Sequence, residues 1–303
     1  MADYWDQLSG RVRYLRDMYR AKKIALKPGE GLTKALEEAE LSAEGSLSPD
    51  APTDENLVRA VNACHVVWGL YDSIKACVDA GLDVTNHLGQ LTTGTIDFGV
   101  PADAATSHKT IYFKDFEAEL LIAAQLSKAG LPVRFLEEAN DPRGEMCVGD
   151  ILIEVKHPNS TNRLESLMRK FNGGLHGSNT YGVFVTAVED AFCLADQSSF
   201  ASDEEFVAWQ RQKRAEMESF GHSAVLRAAS LPRIGALVQT SSAVEVVGDK
   251  TRLARYSNSL VFDQRQYPAG VQAAIERIAC VFNPHFRRYS QVSHLIVPTR
   301  KGS

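Results

Sequence analysis

Apolar and polar positions follow two different periods along this chain. Through the first hundred residues the period is helical: Tyr4, Leu8, Val12 and Leu15 recur three or four residues apart, followed by Tyr19. A Ser-, Pro- and acid-rich stretch, "LSAEGSLSPDAPTDEN" (41–56), reads as a loop, with Thr53 or Asp54 as cap for the next helix. That helix, "LVRAVNACHVVWGLYDSIKACVDAGL", is amphipathic or wholly buried and ends at Gly81. "LGQLTTGTIDFGVPADAATSH" (88–108) is rich in Gly, Thr and Pro and reads as short strands or a connector. It places a soft boundary between a helical N-terminal region, 1–100, and the remainder, 101–303.

Beyond residue 110 strands alternate with helices. "FKDFEAELLIAAQLSKAG" predicts a helix stopped at Gly130, and "LPVRFLEE", "GEMCV" and "ILIEVKHP" predict three strands. "NSTNRLESLMRKFNGG" predicts a capped helix ended by Gly173 and Gly174, and "TYGVFVTAVED" a buried strand. Residues 110–190 therefore give helix, three strands, helix, strand, which is an α/β core. A helix from Ser202 as cap, two strands in "RIGALVQTSSAVEVV" and "TRLARYSNSLVFDQ", and a closing helix in "PAGVQAAIERIACVF" follow.

One strand carries charge where burial is expected. "GEMCVGDILIEVKHP", Gly144 to Pro158, sets Glu145, Asp150, Glu154 and Lys156 in an otherwise apolar run. In a straight strand Asp150, Glu154 and Lys156 share a face, but Asp150 and Glu154 stand roughly 13 Å apart, too far to share one ion. A two-residue turn at Gly149-Asp150 changes the geometry, because glycine takes positive φ without strain. Val148 then faces Ile151, Cys147 faces Leu152, Met146 faces Ile153 and Glu145 faces Glu154. Directly opposed Cβ atoms lie about 4.5–5.5 Å apart, and like charges so placed repel unless a cation sits between them. Mg²⁺ uses one or two carboxylates plus waters and substrate phosphate, which matches this inventory, and Lys156 reaches the same ground. The bland alternative is an edge hairpin with solvated glutamates and Lys156 as an ion-pair partner.

Composition bounds the function classes. The chain has 303 residues and a formal net charge of -5, so nucleic-acid binding would need a local basic face rather than overall charge. Basic residues do cluster at Arg11 to Lys27, Arg163 to Lys170, Arg211 to Arg214, and Arg287 with Arg288. The five cysteines show no zinc spacing, which implies reduced thiols and a cytoplasmic setting. No apolar run is long enough to span a membrane, and the N-terminus is too charged for a signal peptide. "KPGEGLTK" (27–34) does not fit a phosphate-binding loop and reads as a plain loop, and the histidines show no metal-ligand spacing.

The order helix with Glu, strand, acidic residue, hairpin, "EVK", helix, strand resembles the PD-(D/E)XK nuclease superfamily, the restriction-endonuclease-like fold. "FEAELLIAAQLSKAGLPVRFLEE" is similar to its first helix and strand, and "GDILIEVKHP" to the strand bearing its (D/E)XK element, with Glu154 and Lys156 at the matching positions. The likeness covers about residues 110–190. It implies a mixed sheet flanked by helices and hydrolysis of phosphodiesters, in DNA rather than RNA, by a water bound to Mg²⁺ or Mn²⁺. A defence or repair complex is the implied setting, and a homodimer suits cutting both strands. The family's usual Asp has no direct counterpart; the slot falls to Glu145, then Asp150, then Asp141 in "NDPRG". A helix carboxylate, Glu117 with slight preference or Glu119, completes the site. These two point about 200° apart, so one of them serves.

Asn159, Ser160, Thr161, Asn162 and Arg163 cap the following helix, whose N-terminus suits a DNA phosphate, with Arg169 and Lys170 as weaker contacts. His157 is expected to pack on the face opposite Lys156. The rival reading is a catalytically decayed nuclease-like subunit that binds nucleic acid or protein. A further one makes the N-terminal helices an interaction module for a protein partner.

Overall fold

The computed structural model describes residues 2–43, 54–93, 108–136, 144–158, 160–188, 199–228, 231–247, 250–263, 267–284 and 287–290. Four helices come first: α1 (Ala2–Ala21), α2 (Gly31–Ala43), α3 (Asp54–Asp79) and α4 (Thr85–Leu91). Then come α5 (His108–Lys128), β1 (Val133–Phe135), β2 (Met146–Val148), β3 (Ile151–Lys156), α6 (Thr161–Gly177) and β4 (Tyr181–Ala187). The chain continues through β5 (Ser199–Phe200), α7 (Asp203–Ala228), β6 (Ile234–Val247), β7 (Lys250–Asp263), α8 (Ala269–Phe282) and β8 (Arg287–Ser290). The strands form one mixed open sheet in the order β1-β2-β3-β4-β6-β7-β8, with β5 also paired to β6. The protein is thus α/β, with no helix among the described residues long and apolar enough to cross a membrane.

Alternation along β3 divides the sheet into two faces. Ile151, Ile153 and Val155 join an apolar cluster that includes residues of α1 to α5 and α8. Leu152 turns the other way, towards Leu164, Met168, Phe171 and Leu175 of α6 and Phe184, Leu237 and Leu260 of the sheet. Helices cover both faces, and α5 lies between the N-terminal helices and the sheet. Its Phe113, Leu120, Ile122, Ala123, Ala124 and Leu126 are all buried. A helix covered on two sides carries no single apolar stripe.

The hairpin register is the predicted one over three pairs, Val148 facing Ile151, Cys147 facing Leu152, and Met146 facing Ile153, while the expected fourth pair, Glu145 with Glu154, is not part of the ladder. Gly149 supplies the turn's positive φ of 57°. At Gly144 φ is 122°, and the Glu145 N–H donates to the Ile153 carbonyl at 2.9 Å. The ladder therefore kinks just where Glu145 sits.

Several expectations are corrected. "LGQL" (88–91) is the end of a short helix, α4, because Leu88 and Leu91 bury in the apolar cluster shared with α1 to α5. Gly31 to Lys34 belong to α2 rather than to a loop. Helix α6 runs through Gly173 and Gly174 to Gly177, since neither glycine needs an unusual φ there. The strands β5 and β8 were not foreseen. Ser202 does cap α7, its hydroxyl accepting from the Glu205 N–H at 3.3 Å. The boundary region from 94 to 107 lies outside the described residues.

Candidate functional site

The strand β3 ends in the site. Glu154 and Lys156 point to the face that Leu152 shares, and their cross-sheet neighbours follow the same alternation. Glu154 stands beside Phe184, Leu237 and Leu260 in register, and Lys156 beside Thr186, Gln239 and Asn258. One row is apolar and the next polar. The polar row is closed under α7: Gln239 Nε2 donates to the Met217 carbonyl and Asn258 Nδ2 to Gln239 Oε1, each at 3.2 Å.

Two acids meet one amine. The Lys156 ammonium is hydrogen-bonded to Glu145 Oε1 and lies 3.2 Å from Glu154 Oε1. Glu145 and Glu154 thus converge on one ammonium. Behind them, α5 contributes two more acids one turn apart. Asp115 Oδ1 accepts the His157 backbone N–H at 3.1 Å, which fastens the end of β3 to the first half of α5. Glu119 is buried, with Oε2 3.0 Å from Nε2 of the buried His87 on α4.

Electrostatics follow from burial and crowding. Burial, then the Glu145 charge, raises the Glu154 carboxyl from 4.5 to about 7, although Lys156 pulls it down. Burial raises Glu119 well above the usual carboxylate range, helped by Glu145 and Asp115. Asp115 is also raised, chiefly by burial. Burial disfavours the Lys156 ammonium, yet the Glu154 and Glu145 carboxylates outweigh it and hold the amine more strongly protonated than an ordinary lysine. Burial depresses His87 to about 4, so the ring is neutral at physiological pH.

Two carboxyls therefore contact one ammonium, and Glu119 and Asp115 on α5 feel its charge. Such a group keeps protons at neutral pH or accepts a further cation. The donor set suits a hard divalent ion: oxygen ligands, two of them converging at one point, with more acid behind. Among the described residues no three His, Cys, Asp or Glu side chains close into a metal cage. An ion that retains waters and takes only two carboxylates does not need one.

The remaining candidates are placed as follows. Asp150 is exposed in the hairpin turn, at the far end of β3 from Lys156, and is not brought to the group. The straight-strand distance argument holds for it even though the strand folds back. Glu117, the slightly preferred helix acid, is half-buried and does not figure among the charges acting on Glu154; Glu119 does. The physical reason is the second layer over α5, which buries the side that a surface helix would leave wet. Asp141 and Asn159 lie outside the described residues. Ser160 caps α6, its hydroxyl accepting from the Arg163 N–H at 3.4 Å, and Asn162 falls in that first turn. Arg163, Arg169 and Lys170 are exposed, Arg169 pairing with Glu165 at 2.5 Å. His157 is buried on the face opposite Lys156.

Asp115 and His87 were missed by sequence reasoning. Asp115 had a visible signal, its i, i+4 spacing from Glu119 on one helix face. His87 had none, being a lone histidine between the helix that ends at Gly81 and the stretch 88–108 read as strands or a connector. The chain matches no protein-family profile, no curated protein and no solved structure.

Proposed function

We propose that this protein is a divalent-metal-dependent nuclease acting on DNA, on a scaffold similar to that of the PD-(D/E)XK superfamily. The observation that carries the reading is the convergence of Glu145, Glu154 and Lys156 at the end of the hairpin, with Glu119 behind them. The arrangement of α5, the antiparallel β1-β2-β3 meander, α6, and β4 parallel to β3 supports it.

Glu145 and Glu154 would hold Mg²⁺ or Mn²⁺. A bound ion of this kind supplies an acidified water and positive charge at the attacked phosphate. The chain's own groups do the rest. Lys156 faces the scissile phosphate and offsets the charge that builds on its oxygens. Glu119 holds a water in line by accepting its proton in a hydrogen bond. Arg163, Arg169 and Lys170, with Asn162 in the first turn of α6, contact the DNA backbone on either side.

The alternative, a decayed nuclease-like subunit, draws on a specific observation: the Lys156 ammonium already engages both acids, and Glu119 already engages His87. The deciding experiment is cleavage of supercoiled plasmid, single-stranded DNA and RNA with Mg²⁺, Mn²⁺ or EDTA. Wild type should cut DNA only with metal, and Glu154→Ala/Lys156→Ala should not cut. Activity in EDTA, or equal activity in the double variant, overturns the nuclease reading.

A further inference from the structure

His87 belongs to the N-terminal helical layer, yet its one described polar contact is with the site. Nε2 meets Glu119 Oε2 at 3.0 Å, while Nδ1 is buried without a hydrogen-bond partner among the described residues. The ring is held edge-on to Phe116, centroids 5.7 Å apart, and tilted against Phe135 at 4.1 Å. For packing alone a phenyl ring would fill this slot and leave no ring nitrogen stranded. A buried polar atom without a partner calls for an explanation, and the Nε2 contact supplies it.

The helix that carries His87 is itself pinned. Tyr19 Oη on α1 donates to the Leu88 carbonyl at 2.8 Å. Asp83 Oδ1 accepts from the Thr85 N–H at 3.0 Å and lies 3.4 Å from Lys22 Nζ. The imidazole is therefore fixed in position and rotation before it meets Glu119. The Glu119 carboxyl in turn is close enough to Glu145 and Lys156 to feel both charges.

We infer that His87 is a positioning residue: from α4 it holds the Glu119 carboxylate in place beside Glu145, Glu154 and Lys156. The N-terminal layer is by this account part of the active site rather than a module beside it. Neutral imidazole suits the task, since its Nε2 contact with Glu119 adds no charge that would compete with a metal ion. The inference deepens the nuclease reading and rests on it.

The test uses the full chain and reads two quantities, Mn²⁺ affinity by calorimetry and plasmid cleavage. His87→Phe keeps the ring packing and removes the hydrogen bond, so both should fall by about 10- to 100-fold, the usual effect of losing a partner that orients a metal-site residue. His87→Gln places an amide nitrogen near the lost Nε2 and should restore most of both. In a Glu119→Gln background, His87→Phe should cause no further loss. A folded His87→Phe that binds and cuts like wild type overturns the inference, as does an undiminished effect in the Glu119→Gln background. Should His87→Phe not fold, His87→Gln and His87→Asn decide, because the Asn amide stops short of Glu119. Gln retaining what Asn loses supports positioning, and equal behaviour overturns it. Wild type that neither binds Mn²⁺ nor cuts overturns the nuclease reading and this inference together. Wild-type activity with an indifferent His87 overturns this inference alone.

Discussion

Consider replacing Glu154 by Gln and following stability against pH in metal-free buffer. Glu154 is 8% exposed and its carboxyl is raised from 4.5 to about 7. The folded protein therefore favours the neutral acid, whereas the unfolded chain ionises near 4.5. Stability from neutral Glu154 is fully present below pH 4.5 and is lost as pH rises through about 7. At about 1.36 kcal/mol per pH unit, the interval corresponds to about 3 kcal/mol. The amide has no proton to lose. Glu154→Gln should therefore match wild type near pH 4.5 and exceed it by that amount at pH 8.5. Urea unfolding followed through the three tryptophans gives the comparison directly. Saturating Mn²⁺ at pH 8.5 should then stabilise wild type and leave the variant nearly unchanged. Parallel stability curves for the two proteins across this pH range would refute the account of a buried, crowded carboxyl.

Lys156→Met removes the ammonium that meets both Glu145 and Glu154; plasmid cleavage should fall by about 10²- to 10³-fold, and a rate equal to wild type would exclude Lys156 from the chemistry. Asp150→Ala, in the exposed turn, should change neither cleavage nor the urea midpoint, with stability within about 0.5 kcal/mol of wild type. Gly144→Ala would set a Cβ 2.7 Å from the Ile153 oxygen at a φ of 122°. Urea unfolding should show a loss of roughly 1–3 kcal/mol, and because Glu145 follows directly, cleavage should fall with it; an unchanged midpoint would mean the kink is not strained by a side chain.

The hairpin was legible in the sequence because its determinants are local. A Gly-Asp turn and a period of two suffice to pair β2 with β3 and carry Glu145 and Glu154 to the same end of the hairpin, and neither depends on distant residues. The choice between Glu117 and Glu119 was not local. It turns on what covers α5, and the cover comes from helices dozens of residues upstream that amphipathic reasoning treats as absent. Asp115 shows the same limit from the other side: its spacing from Glu119 was in plain view, but its partner, the His157 N–H, is 42 residues away. His87 was illegible altogether, since a single histidine acquires meaning only when tertiary packing brings it to a carboxylate.

The largest apolar cluster among the described residues joins Leu8 on α1 to Phe282 on α8. On the ribosome that continuity has a cost in time. Leu32, Leu36 and Val67 emerge well before Ile275 and Ile278 on α8, which follow only after strands β1 to β7. At about 5–20 residues per second, the nascent N-terminal helices wait on the order of ten seconds or more for their final cover. During that wait their apolar faces are open to neighbouring chains, so slower, cooler expression or a co-produced holdase chaperone should raise the yield of folded protein.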